Sequence, residues 1–218
     1  MILVPIKNLE GAKQRLSPVL DAEERRALAE AMMEDVLKTL ASWGVRPPVA
    51  IVTNDSQATA LARRYGFDII ADPDNRGETD AIAMATGVAV ERGWTSTLVI
   101  PADIPLITAE ELQSIVAAAP HQGTVLVPAA DGRGTNAVLR RPAALFPLRF
   151  GNDSFLPHRR AAEATGKPLL VLDLAGIALD IDRLADLAEL VARGGDRRSQ
   201  RLLRAWNIGQ RLAEVRIA

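Results

Sequence analysis

Short apolar runs alternate along this chain with longer segments of helical period, and that alternation predicts an α/β fold. Residues 2–6 (Ile-Leu-Val-Pro-Ile) and 49–53 (Val-Ala-Ile-Val-Thr) are almost continuously apolar, the pattern of strands buried on both faces of a parallel sheet. Residues 67–70 and 97–101 read as further strands. Between them lie helices: one from Ser17-Pro18 to about Trp43, with Asp21, Glu23 and Glu24 in its first turn and Gly44 beyond its end. A second runs from Ser56 to Tyr65 and stops at Gly66; a third, rich in small residues, runs from Thr79 to Arg92 and stops at Gly93. Thr108 and Glu111 stand at nearly capping-box spacing and open a fourth. Strands at 124–127 and 135–139 flank the turn Asp131-Gly-Arg-Gly134, and 169–172 and 177–181 read as two more short strands.

This order predicts a single α/β domain over residues 1–193, a doubly wound, mostly parallel sheet carrying an antiparallel edge. Residues 194–218 form a helical tail. After Arg193-Gly-Gly-Asp-Arg-Arg198, a last helix from Ser199 to about Val215 carries Leu202, Leu203, Trp206, Leu212 and Val215 as its apolar positions. Such a stripe folds back on its own domain, the commoner fate, or packs against a second copy of the chain as a homodimer.

Composition narrows the chemistry. The 218 residues carry a formal net charge of -1, which offers no general field for nucleic acid, so any anion site must be a local gathering of cations. The absence of cysteine excludes disulfides, thiolate metal sites and a cysteine nucleophile. With two histidines, a metal here is expected to be a hard, oxygen-ligated ion such as Mg²⁺. No apolar segment approaches the ~20 residues of a membrane span and no leader pattern opens the chain, so a soluble cytoplasmic protein without membrane partners is expected.

Three places could carry chemistry. The loop after the first strand holds Lys7, Gly11, Lys13 and Arg15, and two of the four lysines in the chain fall within it. Cations and a glycine at the carboxyl end of a buried strand suit a triphosphate cradle, although the segment is neither a Walker A motif nor GxGxxG and also reads as a solvated turn. Asp103 follows the strand at 97–101 within Pro101-Ala-Asp-Ile-Pro-Leu106, where open α/β sheets gather ligands. The flanking prolines hold that loop in one shape, which favours a functional Asp103 over an ordinary turn aspartate. Asp180 and Asp182 project to one face beside Asp186, and Asp182 is the better second carboxylate for a metal shared with Asp103, its alternative being a helix N-cap. The third place is a second anion site. Gly132-Arg-Gly134-Thr135-Asn136 and Phe150-Gly151-Asn152-Asp153-Ser154 offer main-chain donors and hydroxyls, with His158 one turn later.

Six segments in this order, VPIKNLEGAKQRLSPVL, EERRALAEAMMEDVL, PADIPL, GTNAVL, FGNDSFLPHRRAA and DIDRLADL, resemble the phospholactate guanylyltransferase family of coenzyme F-420 biosynthesis. The likeness runs from residue 1 to about residue 190. It implies a Rossmann-like, GT-A-like nucleotidyltransferase domain with a mostly parallel mixed sheet. It also implies transfer of GMP from GTP to a phosphorylated three-carbon acid (2-phospho-L-lactate, phosphoenolpyruvate or 3-phospho-D-glycerate) with release of pyrophosphate. By the resemblance, Lys7, Lys13 and Arg15 surround the GTP phosphates, and Asp103 and Asp182 bind Mg²⁺. Thr135, Gly151 and Ser154 hold the acceptor, with His158 and Asn136 as secondary candidates.

One segment departs. Where relatives carry Gly-Leu-Asn followed by alanines, this chain has Gly77-Glu78-Thr79-Asp80-Ala81. Guanine presents adjacent N1–H and N2–H donors that one carboxylate accepts together, so Asp80 or Glu78 is expected to read the base beside Gly77, unless the two acids merely favour the helix start. A molybdopterin-type nucleotidyltransferase would open with a Leu-Ala-Gly-Gly loop, which is absent. A catalytically silent nucleotide-binding protein is the rival from another class, and retention of both carboxylates argues against it.

Overall fold

The computed structural model describes residues 1–151 and 153–217, the side chains of residues 216 and 217 excepted. Asn152 of the second glycine turn and Ala218 of the tail lie outside the described residues. Four apolar residues make β1 (Ile2–Pro5) an interior strand of the sheet, and Ile2, Leu3 and Val4 are wholly buried. Parallel to it run β2 (Val49–Thr53) on one side, with β3 (Asp68–Ala71) beyond, and β4 (Thr97–Val99) on the other. The sheet continues through β6 (Thr135–Arg141), β5 (Gly123–Pro128) and β7 (Leu169–Val171), giving the order β3-β2-β1-β4-β6-β5-β7.

Only β6 runs against its neighbours, pairing antiparallel with both β4 and β5. The expected antiparallel edge is therefore an interior strand. The cause is the short connection at 129–134, closed by Ala129 N–H donating to the Gly134 carbonyl at 2.9 Å. A link that short permits a hairpin and no parallel crossover.

Because strand side chains alternate, each central strand feeds two cores. Ile2, Val4 and Ile51 pack under α1 (Ala22–Ser42), α2 (Ser56–Arg64) and α4 (Ala109–Ala118); Leu3, Val52 and Leu126 pack under α3 (Glu78–Glu91) and α5 (Phe155–Ala164). The start of α1 falls at Ala22, after the short 3₁₀ turn Gln14–Leu16, because Asp21 and Glu24 exchange a full capping box.

The segment expected as a strand at 177–181 begins instead as a helical turn, α6 (Ala175–Ala178). Ile177, Leu179 and Ile181 alternate inward as a strand would, but their backbone has no single partner. Ala178 C=O accepts from Ala130 at 2.8 Å, whereas Ile181 N–H donates to Asp103 at 3.1 Å. Alternating burial without a ladder mimics a strand in sequence.

The tail follows α7 (Leu184–Ala192) and divides into α8 (Arg198–Ala205) and α9 (Ile208–Ile217), where one helix was expected. Asn207 breaks it with φ 53°, the left-handed conformation that Asn tolerates best after Gly. The break lets Leu203, Ile208 and Leu212 meet Leu187, Leu190, Leu28 and Met32 in a third apolar cluster. Asp35, buried halfway along α1, accepts from Arg198 N–H at 2.8 Å, Ser199 N–H at 2.9 Å and Ser199 Oγ at 2.7 Å, fixing α8 to the domain. Among the described residues no helix is long and apolar enough to cross a membrane.

Candidate active site

The chain proceeds from β1 outward to β3 and then returns to place β4 on the other side of β1. Loops leaving the carboxyl ends of β1 and β4 therefore diverge, leaving the crevice in which doubly wound sheets bind ligands. Into it project Lys13 from the first loop, Asp103 from the second, and Asp182 from the segment before α7.

Lys13 adopts φ 55°, ψ 40° at the start of the 3₁₀ turn, a left-handed backbone costing on the order of 1 kcal/mol for a residue with a side chain. Its ammonium lies 2.5 Å from Asp103 Oδ2 and 2.7 Å from Asp182 Oδ1, with the side chain 9% exposed. Burial alone would lower the Lys13 pKa; the two carboxylates outweigh it and the value is raised. Asp182 shows the converse: burial pushes upward, and Lys13 holds the carboxyl below its ordinary range. Asp186 Oδ2 accepts from the N–H groups of Asp182 (3.1 Å) and Arg183 (2.7 Å), so the carboxylate at 182 stands on a fixed backbone. Asp103 Oδ1 is buried and has no hydrogen-bond partner among the described residues.

Two clefts meet at these acids. One, of ≈ 320 Å³, is lined by Arg15, Arg133, Arg183, Thr135, Gly151 and Ser154. The other, of ≈ 420 Å³, is lined by Lys7, Gly11, Lys13 and the apolar Ala29, Met32 and Met33 of α1. Glu78, Pro101, Asp103 and Asp182 border both. An anion in each cleft would thus face the other across a shared wall of carboxylates.

Lys7 is exposed in the lysine-bearing cleft. Lys13 reaches that cleft, but its charge rests on Asp103 and Asp182 rather than projecting freely toward phosphates. Arg15, expected with it, lines the other cleft. Glu78, the first residue of α3, sits on the shared wall, where burial, then Asp103 and Asp182, push its pKa up to about 7 against Lys7 and Lys13. Gly77, at φ 141°, caps α3 and lines neither cleft; Asp80 is exposed and lines neither, because the first turn of α3 directs it away. Thr79 ties the start of α3 to the loop at 150 instead, its Oγ1 accepting from Phe150 N–H at 2.9 Å.

Thr135, Gly151 and Ser154 line one cleft together. Asn136 borders the same cleft, yet its amide is spent on Ile177 C=O, Ala178 C=O and Asp180 Oδ1, each at 3.0 Å. Asp180 is pushed up to about 6, chiefly by burial, with Asp103 and Asp182 adding to it and the Asn136 bond opposing. His158 does not line the cleft. It is buried behind Thr135, with Nε2 accepting from Arg149 N–H at 2.9 Å and Nδ1 3.0 Å from Thr135 Oγ1. Burial, and then the charge of Arg140, push its pKa down to about 4.

Sequence reasoning missed Arg133, Arg183 and the Met32-Met33 wall. Arg133 makes a two-pronged ion pair with Asp153 at the mouth of the first cleft, the outer contact at 2.9 Å. Both arginines stand beside the glycines and aspartates of their segments, where sequence alone gives no side-chain direction. The consecutive methionines on a long helix were the available signal for an adaptable apolar wall.

A family profile described as guanylyl transferase CofC like matches residues 1–215. The chain is 36% identical over 188 residues to a phosphoenolpyruvate guanylyltransferase of Sphaerobacter thermophilus, covering 86% of this chain and 90% of that protein. It is 31% identical over 202 residues to a 2-phospho-L-lactate guanylyltransferase of Methanothermobacter thermautotrophicus, covering 93% and 88%. Among solved structures, one from Desulfovibrio desulfuricans G20, described as a nucleotide-diphospho-sugar transferase, superposes with TM-score 0.79 at 20% identity over 96% of each chain.

Proposed function

The chain belongs to the CofC-like guanylyltransferase family, and from that premise we propose that it transfers GMP from GTP to a phosphorylated three-carbon acid in coenzyme F-420 biosynthesis, in the cytoplasm. The observation that carries this reading is the pair of anion-suited clefts sharing one carboxylate wall. GTP takes the cleft of Lys7, Lys13 and the methionine wall. The acceptor acid, of the phosphoenolpyruvate, 2-phospho-L-lactate or 3-phospho-D-glycerate type, takes the cleft of Thr135, Gly151 and Ser154.

The reaction requires no protein nucleophile. An ionised phosphate oxygen of the acceptor attacks the α-phosphorus; a new P–O bond forms and the bond to the β-phosphate oxygen breaks, releasing pyrophosphate. The obstacle is repulsion between two polyanions, and the remedy is orientation and positive charge. Arg15, Arg133 and Arg183 border the acceptor, while Lys7 and Lys13 border the nucleotide.

Asp103 and Asp182 would hold Mg²⁺. Two carboxylates plus phosphate oxygens are the usual donor set for this ion, and the orphaned, buried Asp103 Oδ1 is a ready ligand. Bound there, Mg²⁺ would supply charge neutralisation at the α-phosphate and leaving group. Among the described residues no group of three or more acidic or histidine side chains is placed to hold a metal ion, so the two carboxylates would need substrate oxygens to complete the set.

A pyrophosphate-release assay with GTP and each of the three acids tests the proposal. Release dependent on one acid is expected. Silence with all three would support the nucleotide-binding alternative.

A further inference from the structure

We infer that His158 is a positioning residue that sets the direction of hydrogen bonding in the acceptor cleft, so that the Thr135–Ser154 hydroxyl pair donates one O–H to an anionic oxygen there. The inference rests on the acceptor reading of that cleft and adds to it a residue that does not touch the ligand.

A main-chain N–H can only donate, so the 2.9 Å contact from Arg149 makes His158 Nε2 an acceptor. A neutral imidazole with an accepting Nε2 carries its proton on Nδ1. Nδ1 lies 3.0 Å from Thr135 Oγ1, which therefore accepts. Thr135 Oγ1 also stands 3.2 Å from Ser154 Oγ. Two hydroxyls sharing one hydrogen bond use one of their two hydrogens; the second cannot go to His158, because His158 is already donating. No other protein partner of either hydroxyl is found among the described residues. Both residues line the cleft, so the remaining O–H is offered to whatever fills it.

The opposite tautomer would reverse the outcome. With Nδ1 accepting, Thr135 would donate to histidine, Ser154 would donate to Thr135, and the pair would meet an anion with lone pairs alone. The surroundings hold one arrangement. His158 is 1% exposed, and Phe150 meets its ring edge-on at a centroid distance of 5.1 Å. The donor that fixes the tautomer belongs to Arg149, directly before the loop in which Phe150 and Gly151 line the same cleft.

The test uses the full chain. Nitrogen-15 NMR of the imidazoles in the ligand-free protein should show His158 protonated at Nδ1; of the two histidines, exposed His121 is assigned through His121→Asn. In steady-state kinetics His158→Phe should raise KM for the acceptor acid about 10- to 100-fold, the scale of one charge-assisted hydrogen bond, with KM for GTP within about twofold. His158→Gln, which can accept from Arg149 and donate to Thr135, should recover much of the loss. An Nε2–H tautomer, or an equal rise in both KM values, overturns the inference. The tautomer is read on wild-type protein, so it decides the question even where a variant fails to fold. Wild-type silence in the pyrophosphate assay would instead count against the acceptor reading itself.

Discussion

Replacing Lys13 by methionine removes the ammonium that joins Asp103 to Asp182 while keeping the length of the side chain and the left-handed backbone. Deleting one partner of a buried ion pair costs about 3–5 kcal/mol, because the remaining charge stays desolvated. Here the Asp103 and Asp182 side chains keep 29% and 46% of their exposure, so water recovers part of that cost and about 2–3 kcal/mol is expected. For a chain of this length, that lowers Tm by roughly 4–12 °C. The measurement is thermal unfolding in EDTA at neutral pH, repeated with millimolar Mg²⁺. Two adjacent carboxylates without their lysine should welcome the ion more than the wild-type pair does, so Mg²⁺ should raise the variant's Tm further than the wild type's. The pH dependence follows from the shifts. Asp182 is lowered from 3.8, so its contribution is present above that value and lost as pH falls through its folded pKa. Lys13 is raised from 10.5, so its contribution is complete below that value and lost as pH rises beyond it. Between those limits the deficit should change only around pH 7 and above, growing as Glu78, whose charge Lys13 helps to hold, ionises. A variant as stable as wild type in EDTA, or an equal Mg²⁺ response in both proteins, would refute the reasoning.

Asp103→Asn should reduce turnover by about 10²–10³-fold with the circular dichroism spectrum unchanged, since it weakens charge stabilisation at the reacting phosphate; an unaltered rate removes Asp103 from the site. Glu78 is raised from 4.5 to about 7, so the folded chain binds more protons than the unfolded one in that window and loses stability as pH rises through it. Glu78→Gln should accordingly stabilise metal-free protein by about 1–3 kcal/mol near pH 8 and have no effect below about pH 4.5, as read from urea midpoints. Asp80→Ala should leave the preference for GTP over ATP and CTP intact in calorimetry, because Asp80 lines neither cleft; a lost preference would return it to the base site. Asp35→Ala removes the three hydrogen bonds that anchor α8. It should cost about 2–4 kcal/mol and open the tail to limited proteolysis while the rest of the chain resists.

Periodicity made the central sheet legible because strands buried on both faces leave unbroken apolar runs, as at 2–6 and 49–53. It failed where burial alternates without pairing: Ile177, Leu179 and Ile181 look like a strand because nothing in one sequence says whether the backbone has a ladder to join. The interior position of β6 was equally hidden, since a hairpin fixes the direction of a strand and leaves its neighbours undetermined. At the site, types of residue at strand ends were readable, and Asp103, Asp182, Thr135 and Ser154 stand where ligands would gather. Orientation was not readable. Arg15 and Lys13 are two residues apart yet serve different clefts, because the left-handed turn at Lys13 redirects the chain between them. His158 was visible as a chemical group, but its burial behind Thr135 depends on α5 packing against the sheet.

The reversed β6 also bears on how this chain could diversify. Residues lining the cleft proposed for GTP are gathered from β1 and the loop after it, α1, α3, the loop after β4 and the segment before α7, positions scattered from 5 to 182. Much of the cleft proposed for the acceptor, including Arg133, Thr135, Gly151 and Ser154, falls in one contiguous stretch, 129–158, because a hairpin strand comes back to the site where a crossover would carry the chain away. On the proposed reading, acceptor preference would in that sense be a cassette. Grafting 129–158 from a relative that takes a different phosphoacid should carry much of the acceptor choice with it while the GTP half stays untouched, a route by which one scaffold acquires new acceptors through local inheritance.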